Sequence, residues 1–128
     1  MTKILLKHSL LFACLWTIII FILCCTPGRF VPTANWLELL SFDKFVHASI
    51  FFLLTCLWLN FCLKLGKLSN TAIALTLAFC IAYGGMLEVM QATVFSQRSG
   101  DWLDFIANSF GCLMGWWFFS KQKKRLIP

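Results

Sequence analysis

A chain of 128 residues that is 60% hydrophobic and only 12% charged departs from soluble domains, where about 25% of residues are charged. Its net charge of +6 does not mark a nucleic-acid partner, because the cations flank long apolar runs instead of forming a face: Lys3 and Lys7, then Lys64 and Lys67, then Lys121, Lys123, Lys124 and Arg125. The seven cysteines include no CxxC pair, and all but Cys25 lie well inside those runs, so they read as small apolar filler, not as a disulfide framework or zinc site.

A bilayer core needs roughly 20 mainly apolar helical residues. Four windows meet that need, at about 9–25, 45–63, 71–92 and 103–119, and none shows the period-two alternation of barrel strands. The expected fold is all-α, a polytopic membrane protein with four transmembrane helices in a compact bundle. One domain, 1–128, accommodates them. The first run follows a basic segment, as in a signal peptide. Its 17 apolar residues nevertheless exceed the usual stretch of about 7–15, and no A-x-A site follows, so it is read as a span.

Between spans one and two, Pro27, Gly28 and Pro32 break any helix. The following "NWLELLSF" pairs Asn35 with Glu38 in a capping-box pattern, which predicts a short outer interfacial helix presenting Trp36, Leu39 and Leu40 to lipid. Eight of the eleven Lys and Arg residues fall on one side of this topology, against Arg29, Lys44 and Arg98 on the other. The positive-inside rule then places both termini in the cytoplasm. Trp36 and Trp102 fall at the outer boundary, Trp116 and Trp117 at the inner one.

All five carboxylates lie outside or near the outer boundary in this topology, and three of them, Glu88, Asp101 and Asp104, occur in "LEVMQATVFSQRSGDWLDFIANSFGCLMG" (87–115). Three spans place polar groups at similar depth: His47 one turn below Asp43, Glu88 and Gln91 near the end of span three, and Asn108 one turn below Asp104. Asp101 and Asp104 can be explained as N-terminal capping residues, Lys44 can snorkel outward, and His47 and Asn108 can be satisfied between helices. Glu88 is harder to dismiss, since a carboxylate below the interface costs about 2–3 kcal/mol. Asp43 and His47 are spaced i,i+4, so the carboxylate can orient the imidazole. On span four, Asp101, Asp104, Asn108, Gly111 and Gly115 share one face, and the GxxxG spacing of the two glycines predicts close, central packing. Ala74, Ala78 and Ala82 form a second small stripe, on span three.

These motifs resemble the VanZ-like family of small bacterial membrane proteins. The similarity is carried by "DKFVHASIFFLL" (43–54), "GGMLEVMQ" (84–91) and "QRSGDWLDFIANSFGCLMG" (97–115), in the order of the family's D-K-x-x-H, E-x-x-Q and R-x-x-D-x-x-D-x-x-x-N-x-x-G-x-x-x-G elements. The resemblance implies a four-helix membrane protein.

The functional expectation is a polar site on the extracytoplasmic side that binds or acts on an anionic envelope lipid or lipid-linked intermediate. In a catalytic version Glu88 or His47 is the base, Asp43 orients His47, and Arg98 steadies a phosphate. Gln91, Asp101, Asp104, Asn108 and Lys44 contact the substrate or fix the carboxylates. The alternative is a structural or partner-binding protein whose polar cluster locks helices together. A four-span proton-coupled carrier is a third reading. No cofactor motif is read. With one histidine, His47, in the polar cluster, zinc is disfavoured and no metal is assigned, although Glu88, Asp101 and Asp104 have the donor chemistry for a hard divalent cation. The expected partner is a membrane lipid bearing phosphate, with no nucleic acid.

Overall fold

The computed structural model describes residues 3–25, 36–94 and 102–126, with side chains described from Lys44 onward in the second of these segments and as far as Lys123 in the third. The described residues are helical and contain no strand. They form α1 (Lys3–Lys7), α2 (Ser9–Cys25), α3 (Trp36–Lys64), α4 (Asn70–Thr93) and α5 (Trp102–Leu126). The four expected runs coincide with α2 to α5. Two helical stretches, Lys44–Lys64 and Asn70–Thr93, are long and apolar enough to cross a membrane, and α2 is a shorter apolar helix.

Two boundaries differ from expectation. The separate interfacial helix is not formed: residues 36–40 are the first turns of an unbroken 29-residue α3. Without a proline or glycine after Pro32 until the far end, nothing in the chain interrupts the hydrogen-bond ladder. Asn35, the proposed cap, lies outside the described residues. At the other end, α5 carries on past position 119 into the basic tail, whose Lys, Gln and Arg are good helix formers.

The sharp reversal between α3 and α4 has a local cause. Gly66 takes a left-handed φ of 67°, its N–H bonds to the Leu63 carbonyl at 3.0 Å, and Lys67 N–H reaches Cys62 at 3.1 Å. That is the Schellman termination, for which glycine has no Cβ penalty. Ser69 then caps α4, its Oγ accepting from Ala72 N–H at 3.1 Å.

Packing centres on α3, which touches every other helix, and its largest contact is with α5. Span four was the expected centre, but among the described helices α5 packs against α3 and α4 alone. Gly111 and Gly115 do what the GxxxG spacing predicts, and their target is the α3 backbone. A Cβ at Gly111 would fall within the Ala48 carbonyl group, and one at Gly115 would lie 2.7 Å from the Phe52 carbonyl oxygen. The rising pairs Ala48–Gly111 and Phe52–Gly115 also show that α3 and α5 run parallel. The second small stripe does not pack this way: Ala74, Ala78 and Ala82 are all exposed.

The apolar core joins Ile20, Phe51, Leu54, Cys80, Leu87 and Cys112 from α2 to α5. Hydrogen bonds fasten α2 to it. Trp16 Nε1 donates to Ile50 O (3.1 Å), Trp58 Nε1 to Thr17 Oγ (3.2 Å) and Tyr83 OH to Thr17 O (2.7 Å). Such bonds satisfy buried polar groups where water is scarce. The two ends of the bundle differ chemically. One end gathers cations on nearby carbonyls, with Lys64 Nζ on Lys7 O at 2.7 Å and Lys123 Nζ on Leu68 O at 3.4 Å. The other end holds the polar cluster.

Candidate functional site

Each cluster residue is placed by a helix end. Lys44 and His47 lie one turn apart on the incoming part of α3, Glu88 and Gln91 on the last turns of α4, and Asp104 and Asn108 on the first turns of α5. Because α3 and α5 run parallel and α4 runs against them, these segments meet at one end of the bundle. Glu88, Gln91, Asp104 and Asn108 are all buried.

Lys44 Nζ pairs with Asp104 Oδ1. His47 Nε2 lies 3.7 Å from Asp104 Oδ2, and His47 Nδ1 hydrogen-bonds Asn108 Oδ1 at 3.0 Å. A carbonyl-type oxygen cannot donate, so the proton of this bond sits on Nδ1. The ligating atoms of His47, Glu88 and Asp104 all lie within 4.8 Å of one another. Gly84 makes room for this convergence: its missing Cβ would stand 3.1 Å from Phe51 Cε1 and 3.3 Å from Asn108 Cβ.

Of the nine candidate residues read from the sequence, the structure brings Lys44, His47, Glu88, Asp104 and Asn108 together. Gln91, one turn beyond Glu88, is turned to α2 instead, where its Nε2 donates to Cys24 O at 3.3 Å. The Asp43 side chain, Arg98 and Asp101 lie outside the described residues.

Two relationships escaped the sequence reading. Lys44 does not snorkel away but pairs with Asp104, and the partner seen orienting His47 is Asn108. The i,i+3 spacing of Lys44 and His47 on one helical face was the available signal for the first. The second required knowing that α3 and α5 are parallel neighbours in this register.

Beside the cluster runs a groove between α3 and α5 of about 520 Å³. It is lined by Lys44, Phe45, Ala48, Leu103, Ile106, Ala107 and Phe110. Apart from the Lys44 ammonium its walls are apolar, and Phe45, Leu103, Ile106 and Phe110 are exposed. Lys44 therefore belongs both to the groove and to the buried cluster.

Among protein families, the model described as VanZ/LLP1 matches residues 9–123. The chain belongs to the VanZ/LLP1 family. The match covers the segment from the start of α2 to the end of the described α5 side chains, so it includes every cluster residue. Curated proteins and solved structures give no match. Family membership, together with two helices apolar enough to cross a bilayer, points to a membrane protein.

Proposed function

We propose that this VanZ/LLP1 protein is a single-domain, four-span protein of the bacterial inner membrane that binds an anionic, phosphate-bearing envelope lipid at its extracytoplasmic side. The reading takes α2, α3, α4 and α5 as the spans. At 17 residues, α2 is about 26 Å long, slightly short of a core of about 30 Å. The hydrogen bonds His8 N–H to Ile4 O and Phe12 N–H to His8 O, both 3.1 Å, carry its ladder on into α1. The lysines gathered at one end support cytoplasmic termini under the positive-inside rule, leaving the polar cluster on the opposite side.

The observation that carries the lipid reading is the groove that shares Lys44 with the cluster. An acyl chain fits apolar walls open to the bilayer, and its phosphate then lies against an ammonium at the groove's end. Buried donors and acceptors on three helices supply directional contacts to the headgroup.

Native mass spectrometry of the purified protein tests this, comparing retention of phosphatidylglycerol with that of phosphatidylcholine. The expected result is preferential retention of the anionic lipid, reduced both by Lys44→Gln and by Ala107→Phe, which fills the groove. Equal retention of the two lipids, or variants that behave as the parent does, would contradict it.

One observation favours the alternative, an interhelical lock. The Lys44–Asp104 and His47–Asn108 pairs both fasten α3 to α5. On that reading Asp104→Asn and Asn108→Ala destabilise the fold and lipid selectivity is unchanged.

A further inference from the structure

We propose that His47 Nε2 and the carboxylates of Glu88 and Asp104 form a binding site for one divalent first-row transition-metal ion. The inference uses the same side chains as the lipid reading but does not depend on the lipid.

Geometry comes first. Ligand atoms on a tetrahedral ion at about 2.1 Å stand about 3.4 Å apart. His47 Nε2 and Asp104 Oδ2 are 3.7 Å apart, and with a Glu88 oxygen the three atoms lie within 4.8 Å. The three ligands come from α3, α4 and α5, so the fold fixes their convergence.

The surroundings fit as well. With Nδ1 engaged by Asn108 Oδ1 at 3.0 Å, Nε2 is the ring nitrogen turned toward Asp104 and the one placed to ligate. Metal-binding histidines commonly have their other ring N–H held in this way. Lys44 engages Oδ1 of Asp104, so Oδ2 is the oxygen facing His47. One imidazole and two carboxylates suit ions such as Zn²⁺, Mn²⁺ or Fe²⁺.

Like-charged carboxylates a few ångströms apart, as Glu88 and Asp104 are, repel in a medium of low dielectric constant, and a divalent ion held between them offsets that repulsion.

The test uses the full chain, purified in detergent, stripped with a chelator and titrated with Co²⁺. The expected result is one ion bound per chain, with ligand-field absorption and no sulfur-to-cobalt charge transfer. Affinity should fall at least about tenfold in Glu88→Gln and Asp104→Asn, and also in Asn108→Ala, which removes the partner of the ligand. His8→Ala should bind as the parent does. Charge-transfer bands would place the ion on cysteines and overturn the proposal. So would an absence of binding, or unchanged affinity in Glu88→Gln. The spectrum of the unmodified chain decides between nitrogen–oxygen and sulfur ligation even if a variant fails to fold. Ion binding without headgroup preference supports this site and overturns the lipid reading. Headgroup preference without a bound ion overturns this site alone.

Discussion

Replacing Gly111 with alanine probes the contact that sets the whole site. The added Cβ would lie 2.9 Å from the Ala48 carbonyl carbon and 3.0 Å from its Cα, whereas carbon atoms rest comfortably at about 3.5–4.0 Å. These are backbone atoms inside a helix, so no side-chain rotation relieves them. The Ala48 carbonyl oxygen is nearer still, so the two helices must separate by more than about 1 Å to restore ordinary contact. Backbone overlap of this kind lies at or above the upper end of the about 1–3 kcal/mol typical of overpacking, and the better helix propensity of alanine returns up to about 1 kcal/mol. A net loss of at least about 2 kcal/mol is expected. Gly84→Ala is the internal control, because its Cβ meets only side-chain atoms, Phe51 Cε1 at 3.1 Å and Asn108 at 3.3 Å. The Phe51 ring and the Asn108 amide can shift while Asn108 Cβ must move with its backbone, so a loss of up to about 1 kcal/mol, smaller than that of Gly111→Ala, is expected. Thermal unfolding of both purified variants in the same detergent gives the comparison. Lipid selectivity should decline in Gly111→Ala, since the separation stretches the His47–Asn108 bond. If Gly111→Ala is as stable as the parent, or Gly84→Ala is the more damaging change, the α3–α5 contact described here is wrong.

Other perturbations divide site from scaffold. Glu88→Gln keeps size and removes one of two neighbouring negative charges, so melting temperature should hold or rise while the protein's role in cells is lost; a fall of about 3–5 kcal/mol, typical of a stranded ion-pair partner, would favour the lock. A double-mutant cycle on Lys44 and Asp104 in thermal unfolding should give a coupling of about 0.5–3 kcal/mol, the range for directly interacting residues; additivity would dissolve the pair. Ser96→Cys in a cysteine-free background should react with a membrane-impermeant maleimide from the extracytoplasmic side; labelling only from the cytoplasm would reverse the orientation and remove the outer-leaflet reading.

The helices were legible because long apolar runs must pair their backbone polar groups within the segment wherever water is scarce. The runs at 9–25 and 71–92 correspond to α2 and α4 with little adjustment. The start of α3 was harder, since capping residues at 35–38 look alike at the start of a surface helix and at the start of a long one. The shared depth of His47, Glu88 and Asp104 predicted that they meet, because depth follows from position in a span. Partner choice did not follow. Gln91 shares a helical face with Glu88, yet α2 presents the Cys24 carbonyl to it. Asp104 reads as a helix-start acid, yet Lys44 stands opposite. Only the parallel α3–α5 register decides such pairings, and glycine spacing reveals close approach without naming the neighbour. The same limit explains the exposed Ala74, Ala78 and Ala82, whose spacing alone cannot distinguish a packed stripe from a bare one.

Photo-crosslinking locates the lipid on the protein surface. The purified protein is reconstituted with diazirine-bearing lipids that differ only in headgroup, phosphoglycerol or phosphocholine, and the labelled residues are mapped by mass spectrometry. The phosphoglycerol lipid should label Phe45, Ile106 and Phe110 in preference to the phosphocholine lipid, and Lys44→Gln should abolish this preference. Labelling that ignores the headgroup and spreads evenly onto the exposed α2 residues Leu11, Ile18 and Ile22 would contradict a lipid site between α3 and α5.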